Sequence, residues 1–155
     1  MVRSFAGASV MIRLAICDDH EMVREALSAV LESFEGISVV GAAESLHSLA
    51  EVMGQSNPEV VLVDVRLGTE SGIDVARHIL GACPSVKIIM LTSFADDQVV
   101  VDAFDLGASA FMLKSGRPQE LVDTIRAVST GSNLFDLEDI ESARRRLETL
   151  QNSGQ

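Results

Sequence analysis

The chain reads as an α/β domain: a doubly wound parallel sheet of five strands, helices on both faces, and one more helix at the C-terminal end. Three observations predict it. Short apolar runs alternate five times with stretches of helical periodicity, and β–α units in series build a parallel sheet. The runs are almost continuously apolar and rich in Val and Ile, as strands covered on both faces require. Four of them end on a polar residue of defined chemistry: Asp18-Asp19, Asp64, Thr92 and Lys114.

The first strand is expected at Ile12–Cys17 (IRLAIC). The first helix follows over residues 21–35, with Val23, Leu27, Val30, Leu31 and Phe34 on one stripe. A second strand spans 37–42, and Ser45 caps a helix whose apolar stripe is Leu46, Leu49, Ala50 and Met53. The third strand spans 59–63, and a helix over 72–81 carries Ile73, Ala76, Ile79 and Leu80. The fourth strand spans 86–91. Its helix, 96–106, opens on Asp96 and Asp97, which suits the positive end of the helix dipole. The fifth strand spans 109–113, and the last helix of the repeat runs 118–130, with Pro118 at its first position and Gly131 as its stop. Residues 132–155 form a linker helix and tail. Leu137, Ile140, Leu147 and Leu150 give a sparse stripe broken at Arg144, which fits a helix packed on its own domain or partly exposed, or else a connector or dimerisation helix.

Composition narrows the function. The 155 residues suffice for one domain, and a domain of this size buries roughly 68–70% of its unfolded surface. A hydrophobic fraction of 47% with no low-complexity tract argues against disorder. A formal charge of −11 cannot neutralise a broad face of phosphates, so no DNA-reading module is expected in these residues. The one basic run, Arg144-Arg145-Arg146, is flanked by acids and reads as a solvated helix face. Cys17 and Cys83 lack ligand-like or disulfide-like spacing and are expected as buried reduced thiols. No apolar run reaches the roughly 18 residues of a membrane span. Residues 1–10, expected as an N-terminal extension, are too short and too weakly apolar for a secretory signal. The expectation is a soluble, cytoplasmic protein with no membrane partner.

In an open α/β sheet, ligands bind beyond the carboxyl ends of the strands. Asp18, Asp19, Asp64, Thr92 and Lys114 all fall there. Magnesium takes one or two carboxylates together with waters and phosphate oxygens. Asp18 or Asp19, together with Asp64, could supply those carboxylates, and the backbone carbonyl of Arg66 is also well placed. A carboxylate is also a nucleophile able to form an acyl phosphate. A lysine and a hydroxyl beside it offer a compact cation and a hydrogen bond to a phosphoryl group.

With these pieces in place, the chain resembles the receiver domain of two-component response regulators, the CheY-like superfamily. The resemblance covers roughly residues 11–131 through IRLAICDDH, VVLVDVRLGTESG, IIMLTSF and AFDLGASAFMLKS. CDDHEMVREAL and LGASAFMLKS are most similar to the NarL/LuxR-type subfamily. The resemblance implies a flavodoxin-like (βα)5 sheet with strand order 2-1-3-4-5. It implies that Asp64 accepts phosphate from a sensor histidine kinase, that Asp18 and Asp19 organise Mg2+, that Thr92 is the switch hydroxyl, that Lys114 pairs with the phosphate, and that Phe111 is the switch aromatic. It implies a conformational switch rather than an enzyme, dimerising on phosphorylation, with DNA reached only through a C-terminal domain.

Three features depart from the family. Gly68 stands where Pro is frequent, so a looser loop is expected after Asp64. Ser115 stands where a cis-proline is frequent after the lysine. No helix-turn-helix follows within the chain, which fits a receiver plus linker excised from a longer protein. A stand-alone receiver acting as a phosphorelay or interaction adaptor is the alternative. A metal-dependent phosphohydrolase with an aspartate nucleophile is a weaker rival, because the general acid it needs two residues on is here Arg66.

Overall fold

The structure is a computed structural model describing residues 4–5, 8–9 and 11–153. Five parallel strands, β1 (Ile12–Cys17), β2 (Ile37–Ala43), β3 (Val60–Asp64), β4 (Lys87–Thr92) and β5 (Ala110–Leu113), form one sheet in the order β2-β1-β3-β4-β5. Helices α1 (Glu21–Glu32), α2 (Leu46–Ser56), α3 (Gly72–Ala82), α4 (Asp97–Leu106) and α5 (Pro118–Ser129) connect and follow them, and α6 (Leu137–Ser153) closes the chain. This is the doubly wound order that the family resemblance implies.

The strand period of two sorts the core into two halves. Leu14, Ile16, Val60, Leu62, Ile89 and Leu91 face α1 and α5, where they meet Leu31, Leu121, Val122, Ile125 and Val128. Ala15, Cys17, Val61, Val63, Ile88 and Met90 face α2, α3 and α4, where they meet Leu49, Met53, Ile73, Ala76, Ile79 and Ala103. All of β3 is buried, so Asp64 ends the most protected strand of the molecule.

Several boundaries move. The first helix ends at Glu32, not at residue 35, because Ser33 turns its N–H and hydroxyl back to Val30 O and Gly36, at φ 85°, reverses the chain into β2. Asp64 and Thr92 are the last residues of their strands rather than the first beyond them. Asp96 lies outside α4 and caps it, accepting from the Val99 N–H at 2.8 Å. The loop after Asp64 is not loose. Arg66–Leu67 pairs antiparallel with Glu70–Ser71 through a tight turn whose Gly68 adopts φ 63°, a conformation proline cannot take. The Lys114–Ser115 bond is trans; the described residues contain no cis peptide.

The C-terminal helix forms and packs on its own domain, one of the two arrangements its stripe allows, with most of its outer face exposed. It packs on α4 more extensively than any other helix pair packs. Only Ile140 of the expected stripe is buried, together with Ala143, while Leu137 and Leu150 are exposed. Arg144 and Arg146 are ion-paired to Asp105 and Asp97 of α4; composition could not show this, since the partners are 39 and 49 residues away. The N-terminal extension expected over 1–10 lies outside the described residues, apart from the backbone of Ser4–Phe5 paired with Ala8–Ser9. Among the described residues no helix is long and apolar enough to cross a membrane.

Candidate functional site

The parallel register brings β1 and β3 side by side, Cys17 opposite Val63, so Asp18 and Asp64 emerge together at the carboxyl edge. Lys114, just after β5, reaches back between them. Its Nζ donates to Asp18 Oδ2 at 2.6 Å and to Asp64 Oδ2 at 2.8 Å. The other oxygens are held by backbone: the His20 N–H donates to Asp18 Oδ1 at 2.9 Å, and the Arg66 N–H to Asp64 Oδ1 at 3.3 Å.

Burial works against the charged form of both aspartates. At Asp18 the bonds from Lys114 and the His20 N–H outweigh burial, and its pKa falls below the ordinary carboxylate range. At Asp64 burial prevails over Lys114, helped by the negative charge of Asp18, and the pKa is raised. Lys114 is itself desolvated, yet its two carboxylate partners hold its pKa above the usual lysine value. Burial, with Glu70 and the two aspartates nearby, pushes the Cys17 thiol up to about 12.

Asp19 completes the acidic set. Its Oδ1 is shut off from solvent and has no hydrogen-bond partner; His20 Nδ1 lies 3.1 Å away without the alignment of a bond. One ligand atom each from Asp18, Asp19, His20 and Asp64 falls within 4.8 Å of the others. A buried, unpartnered carboxylate oxygen among oxygen donors is what a hard divalent cation satisfies, so these residues fit Mg2+.

The structure therefore brings Asp18, Asp19, Asp64 and Lys114 into one cluster. Arg66 enters through its backbone. Thr92 is buried nearby, but its hydroxyl serves its own loop, donating to Phe94 O at 3.0 Å and accepting from the Phe94 N–H at 3.3 Å. Phe111 is half-buried against the α2–α4 side of the core. Three further residues shape the site. Arg24 donates to the Asp18 carbonyl at 2.6 Å and fixes the turn after β1. His20 lies within 3.3 Å of both Asp18 and Asp19. Gly72 lets α3 start directly against the Asp64 backbone: a Cβ there would lie 1.9 Å from the Asp64 carbonyl oxygen. Asp18 lies in the turn before α1 and Arg24 on that helix, so no periodicity links the two, and nothing in the sequence signals the approach at Gly72.

A doubly wound (βα)5 sheet with acids just after its first strand and at the end of its third, and a lysine after its fifth, defines a receiver-type domain. Residues 14–126 match the family model "Response regulator receiver domain", and the chain belongs to that family. It is 36% identical over 124 residues to the uncharacterized transcriptional regulatory protein YxjL of Bacillus subtilis, covering 80% of this chain and 57% of that protein. It is 35% identical to the transcriptional regulatory protein LiaR of the same organism, covering 94% and 67%. The chain thus spans 57% to 67% of the length of these two relatives. Among solved structures, a LuxR-family two-component response regulator from Aurantimonas sp. superposes with a TM-score of 0.79 at 28% identity, covering 86% of this chain and 98% of that one. The isolated REC domain of RcsB from Salmonella enterica, solved with phosphomimetic BeF3−, gives 0.73 at 25%, covering 86% and 98%.

Proposed function

We propose that the chain is a phosphorylation switch that takes its phosphoryl group on Asp64 from the phosphohistidine of a sensor histidine kinase. The observation that carries this is the Lys114 ammonium bridging Asp18 and Asp64 beside the unpartnered Asp19 Oδ1. An Asp64 carboxylate oxygen attacks phosphorus, a P–O bond forms, and the P–N bond to the donor imidazole breaks with its electron pair returning to the ring. Raised basicity suits Asp64 to this role, while Asp18, held ionised, suits a ligand's. Mg2+ held by Asp18, Asp19, Asp64 and the Arg66 carbonyl would spread the charge of the transferring group. Lys114 stays within reach of a phosphate oxygen once the Asp64 oxygen it holds has reacted.

Thr92 then leaves Phe94 to donate to the phosphate, Phe111 turns into the space released, and the face of α4, β5 and α5 repacks. A largely apolar cleft of about 350 Å3 between α1 and α5, with Met22 exposed on its lip and Lys114 in its wall, offers a helical kinase segment a seat beside Asp64. The output is control of transcription through residues beyond this chain, as the names of YxjL and LiaR suggest, with self-association strengthened by phosphorylation. Chemically the chain is a switch rather than an enzyme, and it resides in the cytoplasm. Arg66 in the position of a general acid disfavours a phosphohydrolase.

Acetyl phosphate with Mg2+, followed by intact mass, tests the reading. One phosphate adduct is expected on the wild type and none on Asp64→Asn. No adduct, or one that survives the substitution, overturns it.

A further inference from the structure

α4 carries acids at both ends of one face, Asp97 in its first turn and Asp105 in its last. Eight residues of helix separate them, about 12 Å along the axis. Two arginines from a single turn of α6 grip both. Arg146 forks onto Asp97, Nε to Oδ2 at 2.8 Å and Nη2 to Oδ1 at 2.9 Å. Arg144 forks onto Asp105, one arm at 3.1 Å. The two side chains splay in opposite directions, so α6 reads the position of both ends of α4 at once.

The rest of α6 is held unevenly. Its approach is fixed by Phe135 edge-on to Phe104 of α4, centroids 5.5 Å apart, and by the Leu134 N–H on Ser109 O. Ile140 and Ala143 are buried. Beyond Ala143 the exposed arginine pairs take over, and Leu150 lies in solvent. Exposed ion pairs are weak and geometry-dependent, and a planar fork tolerates little displacement of its carboxylate. Such a contact holds a helix and also lets it go.

Asp97 lies five residues after Thr92. Thr92 Oγ1 is bonded to the Phe94 backbone within the intervening loop, and Asp96 of that loop caps α4. Withdrawing the hydroxyl from Phe94 therefore resets the segment that positions Asp97. We propose that the acidic face of α4 is a regulated docking surface whose occupant is α6 of the same chain, released in its C-terminal half when Thr92 exchanges Phe94 for a phosphate on Asp64. The inference rests on the phosphoacceptor reading of Asp64. It goes beyond that reading in naming the occupant of the α4 face and the contact that links the two.

The test is hydrogen–deuterium exchange of the 155-residue chain at fixed pH, with and without acetyl phosphate and Mg2+, adduct formation being read by intact mass on the same sample. Phosphorylation is expected to speed exchange in peptides after Ala143 by at least fivefold while the β3 peptides stay unchanged. Arg144→Ala/Arg146→Ala is expected to take phosphate as the wild type does, but to show the fast α6 exchange beforehand and no further increase. Arg146→Lys, a point charge without the fork, is expected to fall between. Full adduct formation with unchanged α6 exchange overturns the docking proposal and leaves the phosphoacceptor intact. Failure to form any adduct overturns both.

Discussion

Gly72→Ala tests how the sheet places Asp64, the proposed phosphoacceptor. At Gly72 φ is ordinary, so the constraint is contact and not left-handed backbone. An added Cβ would stand 1.9 Å from the Asp64 carbonyl oxygen, 2.8 Å from its carbonyl carbon and 2.8 Å from Val65 Cα. All three are backbone atoms, so no rotamer change relieves them. Real contacts of this kind stop at about 3.0 Å. The first turn of α3 must therefore part from the end of β3 by about 1.1 Å (3.0 less 1.9). β3 is bonded on both sides, to β1 and β4, and the Gly72 N–H itself donates to Val65 O at 2.6 Å. Overpacking of this kind costs about 1–3 kcal/mol. In a domain of this size that lowers Tm by roughly 2–12 °C. A displacement of about 1 Å at a reacting group costs on the order of 100-fold in rate, so phosphate uptake should slow by that order even where the variant is fully folded. The chain has no Trp or Tyr, so stability is read by far-UV circular dichroism in urea, and uptake by a mass time course. Gly68→Ala is the control: its Cβ meets only Asp19 Oδ2, at 3.7 Å, and its cost is the left-handed φ of 63°, about 1–2 kcal/mol with uptake largely kept. A Gly72→Ala protein as stable and as fast as wild type would refute the close-approach reasoning.

Lys114→Met leaves Asp18 and Asp64 buried against each other without their cation. With the lysine partly exposed, the loss at neutral pH should be about 2–3 kcal/mol, below the range for fully buried pairs. The depressed pKa of Asp18 means its contribution is present above the ordinary carboxylate pKa and is lost as pH falls. The deficit of Lys114→Met should therefore shrink below about pH 4, and a pH-independent deficit measured by urea melts would contradict the pairing. Arg146 holds the Asp97 carboxyl below its usual range, so the Arg146–Asp97 pair should persist through ordinary carboxylate titration and loosen only as pH falls past the lowered value. Spin-label distances across α4 and α6 that do not change at acid pH or in high salt would count against it. Iodoacetamide at pH 8 should modify Cys83, which is partly exposed, and spare Cys17, buried and with its pKa near 12; two adducts on the native protein by mass would refute this. Gly54→Ala, in α2 with nothing within 4 Å of the new Cβ, should raise stability by about 0.5–1 kcal/mol, and an unchanged urea midpoint would argue otherwise.

The sheet was legible because its inner strands β1, β3 and β4 are buried on both faces, and burial on both faces writes itself as nearly unbroken Val, Ile and Leu. Asp18, Asp64 and Lys114 were legible for a related reason: parallel strands deliver their carboxyl ends to one edge, so position after a strand predicts contact. What stayed hidden depends on tertiary geometry. The Thr92 hydroxyl turns to Phe94 within its own loop, a choice of rotamer and loop path that spacing does not encode. The tight approach at Gly72 reflects where α3 meets β3, and a lone glycine at a helix start has many commoner explanations. In α6 the arginine that interrupts the apolar stripe is the residue that docks it, which only the placement of Asp105 and Asp97 reveals.

The Thr92 contacts also limit what phosphorylation can achieve on one isolated domain. Moving the hydroxyl forfeits two neutral hydrogen bonds to Phe94, each worth about 0.5–1.5 kcal/mol net, and gains one to a charged group worth about 1.5–3 kcal/mol. The exchange runs from about −1.5 to +2 kcal/mol, whereas carrying a two-state equilibrium from 1:99 to 99:1 takes about 5.5 kcal/mol. The hydroxyl alone shifts populations by a modest factor. The remainder must come from interactions that exist only in the switched arrangement. Lys114 can add some by following the phosphate, but it starts with two carboxylates already satisfied. More free energy is available from binding of the repacked face to something else, because a partner that recognises one state alone shifts the equilibrium by mass action. On this reasoning the proposed self-association would make the switched fraction depend on protein concentration, completing the switch as well as following from it.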